Sequence, residues 1–108
     1  MERWIFGVIA TLGLAVASPA ATAGDDWMAT CKSVSKMAEA IMKGRQAGGS
    51  MADMMAVDTG NETVTQMGRL LVMQAFKQPR FDSEEYQHKA VVDFSNNAYS
   101  MCASRLSQ

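Results

Sequence analysis

Two cysteines, one histidine and ten methionines are the side chains of this 108-residue chain whose types could carry chemistry. Cys31 and Cys102 stand far apart, with no CxxC spacing and no histidine beside either of them. In an oxidising compartment such a pair is expected to form a structural disulfide, ahead of a reactive thiol or a metal-bound pair. His88 is the lone histidine, and Glu84 precedes it by one helical turn, the spacing of a surface pair rather than a catalytic dyad. Hydrolytic triads, zinc sites and acid–base pairs lean on histidine or on two facing carboxylates, and this chain offers one lone imidazole with Glu84 and Glu85 a turn away. The chain is therefore expected not to be an enzyme and calls for no cofactor.

Met51, Met54 and Met55 form the densest thioether cluster. Thioethers are soft ligands, and three on one side of a helix could hold Cu(I) or Ag(I). They also suit the apolar positions of an amphipathic helix, or an adaptable protein-binding groove. Core filling is the first reading, the partner groove the second, and no metal is assigned. Arg45, Gln46, Arg80 and Phe81 fall at two helix junctions, where binding residues concentrate. An arginine beside an aromatic is a common interface anchor, so these four join the methionines as candidate partner-binding residues. The plainer alternative is that Phe81 staples the next helix while Arg45 and Arg80 are solvated or pair with Asp82 or Glu84.

These residues sit on helical elements. Trp27, Cys31, Val34, Ala38, Ile41 and Met42 recur at helical steps after a cap at Asp25 or Asp26, and Gly48-Gly49 should end that helix near Gln46. Ser50 with Asp53 suggests a weak capping box and a short helix to about Val57. After the Thr59-Gly60-Asn61 turn, a third helix starts near Glu62 with Val64, Met67, Leu71 and Ala75 on its stripe. Pro79 closes it, and Gly68 inside it suggests that another helix crosses closely. Asp82 with Glu85 is read as the box that opens a fourth helix to about Arg105, carrying Tyr86, Ala90, Phe94, Ala98, Met101 and Cys102. A Cys31–Cys102 bond then makes the first and last helices antiparallel. The expected fold class is all-α, a small disulfide-tied, up-and-down bundle of about four helices.

The N-terminal segment supplies the compartment. Arg3 precedes an apolar run from Trp4 to Ala17, Ser18 and Pro19 break it, and Ala21-Thr22-Ala23 offers a small-x-small cleavage pattern. Residues 1–23 are expected to be a cleavable signal peptide, with 24–108 one helical domain. A membrane-spanning helix would need roughly 20 apolar residues, so no stable insertion is expected after cleavage. The expected location is periplasmic or secreted. A net charge of −1, with lysines and arginines scattered singly, argues against nucleic acid as a partner.

The two cysteines, the segment Arg45-Gln46-x-Gly48, and Gln78-Pro79-Arg80-Phe81 leading into Glu84-Glu85-Tyr86-Gln87 resemble small exported two-cysteine helical proteins of proteobacteria and their phages. The resemblance implies a bacterial or phage origin and a periplasmic address, and brings no active site with it. Two functions are expected in turn: a module that binds another periplasmic or envelope protein, such as an inhibitor or immunity partner, or a stress holdase with a methionine-rich apolar face. A subunit of a larger envelope or phage assembly is a third.

Overall fold

The computed structural model describes residues 26–107; the expected signal peptide, residues 1–23, and the cap candidate Asp25 lie outside the described residues. Four helices follow one another: α1 (Asp26–Gln46), α2 (Met51–Met55), α3 (Glu62–Ala75) and α4 (Glu84–Leu106). The fold is a small all-α bundle tied by one disulfide, as the apolar periodicity and cysteine placement predict.

Local chemistry fixes each boundary. Gly48, at φ +92°, stands in the left-handed region. Its N–H donates to Arg45 O at 3.1 Å, and that of Gly49 to Gly44 O at 2.8 Å, so two otherwise orphaned carbonyls are satisfied as α1 stops. Ser50 then caps α2 by accepting from Asp53 N, and α2 ends two residues before the expected Val57. Asp58 Oδ1 accepts from Gly60 N in the following turn, and Asn61 caps α3 by accepting from Val64 N at 3.0 Å. α3 gives way at Phe76, ahead of Pro79. The fourth helix corrects the sequence reading by one residue: Ser83, not Asp82, is its cap, accepting from Tyr86 N at 3.2 Å.

α1 packs chiefly against α4, and α3 lies across α1. The disulfide joins Cys31, in the second turn of α1, to Cys102, in the last turns of α4, with 5.5 Å between Cα atoms, so the two helices run antiparallel. Val34, Ala38 and Met42 of α1, Ala75 of α3, and Val91, Phe94 and Ala98 of α4 form one continuous core. α2 contributes no buried residue. Because α4 has one principal neighbour, only the middle line of its apolar stripe is covered, and Tyr86 and Met101 stay exposed.

Gly68 lies where α1 crosses α3, and Met37 Sδ would stand 3.4 Å from a Cβ built there. That is an ordinary contact, so the crossing is made through a side chain and leaves room for a methyl group. Gly68→Ala should therefore stabilise the protein, by up to about 1 kcal/mol, as the entropic cost of a helical glycine is removed. A urea unfolding midpoint below wild type would show that the two helices cannot accept the added methyl.

Candidate functional site

The end of α1 meets the segment 76–87, more than thirty residues further along the chain, at the end of the α1–α4 hairpin opposite the disulfide. Gln46, the last residue of α1, is 3% exposed and lies at the centre of this end. Its Nε2 donates to Pro79 O at 2.9 Å and contacts Met42 Sδ at 3.5 Å, while its Oε1 accepts from Phe81 N at 2.8 Å. One amide thus satisfies a donor and an acceptor of a loop that has no helical partners of its own. Arg80 returns the contact, its Nε donating to Gln46 O at 2.9 Å, with its guanidinium beside Gly48.

Arg45 holds the start of the same loop. Its Nε and Nη2 donate to Gln78 O at 3.3 and 3.1 Å, and its guanidinium lies over the Phe76 ring, 4.7 Å from the centroid. From the other side, Gln87 Nε2 donates to Phe81 O at 2.6 Å. These contacts make a clasp: α1 and α4 grip the connecting loop by its backbone.

Arg45, Gln46, Arg80 and Phe81, singled out in the sequence for their place at two helix junctions, are therefore brought together. Both arginines donate to backbone carbonyls within the chain, a third use beside solvation and pairing with Asp82 or Glu84. Phe81 is half-buried and faces Tyr86, with ring centroids 6.0 Å apart. Tyr86, which the sequence places on the apolar stripe of α4, is 57% exposed and belongs to this surface. A hollow of about 320 Å³ opens beside the two rings, with Phe94 and Asn97 further along it. On another side of the hairpin a shallow groove of about 480 Å³ runs between Glu39 and Lys43 of α1 and Glu84, His88 and Val92 of α4.

Met51, Met54 and Met55 do not share one environment. Met51 is exposed, Met55 half-buried, and the Met54 methyl sits against the end of α1 where Gly44 and Gly49 leave space. A Cβ at Gly49 would stand 2.8 Å from Met54 Cε and 3.0 Å from Gly44 O, and one at Gly44 would overlap the same methyl. Met54 thereby pins α2 to α1. Gly44 is the one glycine within α1, and the sequence expectations did not include it. Next to it, Met37, Ile41 and Met54 line an apolar hollow of about 220 Å³ closed by α3. At its edge Thr65, buried in an otherwise apolar stripe, shares a 2.9 Å hydrogen bond with Thr59 Oγ1 and ties the α2–α3 loop down.

Among the described residues no group of three or more histidine, cysteine, aspartate or glutamate side chains is placed to hold a metal ion. Charge pairing is confined to the surface: Lys43 with Glu39 at 3.2 Å, and Lys89 with Asp93 at 2.8 Å, are the ion pairs seen among the described residues. The hydrogen bond and charge of Asp93 raise the Lys89 pKa above its ordinary 10.5. Stability from that pair is complete below 10.5 and fades only as pH climbs through the raised value, so it is constant across the neutral range. Both groups are well exposed, and solvent screening keeps the contribution small.

Comparison with protein-family models, curated proteins and solved structures finds no match to this chain.

Proposed function

We propose that this protein is an exported, non-catalytic binding module that docks onto another protein of the periplasm or envelope, in the manner of an inhibitor or immunity partner. The observation that carries this reading is the clasp. It holds Arg80, Phe81 and Tyr86 on a short surface whose backbone is already fixed by Gln46 and Gln87. Arginine and aromatic side chains dominate binding hot spots, and a surface ordered before contact loses little entropy on docking. The apolar leader and the disulfide support the exported address, and no described helix is long and apolar enough to cross a membrane.

The test is capture of a partner by the mature chain, residues 24–108, from a periplasmic extract, compared with its Tyr86→Ala variant. Tyr86 makes one described ring contact and is mostly exposed, so truncation should leave helical circular dichroism unchanged. Binding should weaken by about 2 kcal/mol, roughly thirtyfold in Kd, if Tyr86 is an anchor. Equal capture by both chains would remove this surface from the reading.

The second reading, a holdase, is favoured by one observation: Leu70 and Met73 are exposed on successive turns of α3, and Met51 is exposed on α2. A holdase should lose tertiary signal at pH 3, bind ANS and suppress aggregation of unrelated proteins. A binding module should keep its fold there.

A further inference from the structure

The chain distributes its thioethers unevenly between surface and core. Met28, Met51, Met73 and Met101 are 58, 39, 44 and 51% exposed, one on each of the four helices. Met42 is the opposite case: 0% exposed, packed into the core and touching the Gln46 amide that holds the clasp. Oxidation of a methionine to its sulfoxide turns an apolar side chain into a polar one. At a surface site the new oxygen is hydrated and displaces nothing, whereas at Met42 it would be buried among apolar groups at considerable cost.

We propose that the four surface methionines give this protein a further activity, the stoichiometric consumption of hydrogen peroxide. A lone pair of Sδ attacks one peroxide oxygen, forming the S–O bond as the O–O bond breaks. The sulfur is oxidised by two electrons and the peroxide is reduced. The departing oxygen keeps its own hydrogen, takes the proton released from the transferred oxygen, and leaves as water. Each thioether removes one peroxide, and the fold tolerates all four events because none of the four sulfurs belongs to the core. This activity is independent of the partner-binding surface.

The experiment treats the mature chain with hydrogen peroxide and follows oxygen uptake by peptide mass mapping alongside circular dichroism and peroxide consumption. Met28, Met51, Met73 and Met101 should oxidise at least about tenfold faster than Met42, following their exposure. Helical signal and thermal midpoint should be retained when the four sites are filled. The variant carrying M28L, M51L, M73L and M101L keeps the side-chain volumes and should fold equally, yet lose that share of the peroxide uptake. Equal oxidation of Met42, unfolding before the four sites are filled, or undiminished uptake by the quadruple variant would each overturn the proposal.

Discussion

Replacing Gln46 with leucine should destabilise the protein by about 3 kcal/mol, although the volume is nearly conserved and the site lies at the end of a helix. The side chain is 3% exposed and bonded to Pro79 O and Phe81 N, both within 2.9 Å. Leucine would leave a backbone donor and a backbone acceptor without partners, at about 1–3 kcal/mol each where water cannot reach them. Part of that cost is recovered because the loop can loosen and hydrate its groups. The measurement is urea unfolding of wild type and variant, with the slope compared as well as the midpoint. An unchanged midpoint would mean that the loop holds its shape without Gln46. The same variant should reduce partner capture even though it alters no exposed side chain, because Phe81 and Arg80 would no longer be fixed.

Removing the disulfide should have the larger effect. Cys31 and Cys102 are 71 residues apart, and closing a loop of that length restricts the unfolded chain by about 4 kcal/mol in the chain-entropy account. A domain with a core this small has a total stability of only several kcal/mol, so the doubly substituted Cys31→Ala, Cys102→Ala chain should be largely unfolded near 37 °C. Thermal circular dichroism with and without reductant checks this directly. Intact mass gives the complementary result: the oxidised chain should be about 2 Da lighter than the reduced one. A reduced protein that melts at the oxidised midpoint would show that the helices alone carry the fold.

Much of the architecture was legible because its signals are local. Apolar steps of three and four mark α1, α3 and α4, the glycine pair at 48 and 49 stops α1, and Ser50 opens α2. The error at the fourth helix has a physical origin. Asp82 and Ser83 are both good caps, and the Phe81 backbone just before them is held by Gln46 on its N–H and by Gln87 on its carbonyl. Gln46 belongs to α1, 35 residues from Phe81, so no local pattern could report the outcome.

The exposure of Tyr86 and Met101 was hidden for a related reason. A stripe predicts which face of a helix is apolar, but the number of neighbours decides how much of that face is covered. α4 leans on α1 for most of its packing, and the flanks of its stripe remain in water. The clasp itself was half visible: Arg45, Gln46, Arg80 and Phe81 stood out by type and position, whereas their pairing across more than thirty residues is tertiary information. Met54 stood out only as one of a cluster of three, and its seat against Gly44 and Gly49 is tertiary information.

The position of the disulfide has a mechanical consequence. Cys31 and Cys102 are joined at the base of the hairpin, and every core residue lies between them in sequence. A pull on the chain from outside these two residues passes from one strand of polypeptide to the other through the sulfur–sulfur bond. The α1–α4 interface and the clasp beyond it carry none of that load. The domain can therefore be tethered on both sides, or stretched between two anchors, while the surface at its far end keeps its shape, until reduction routes the tension through the helices.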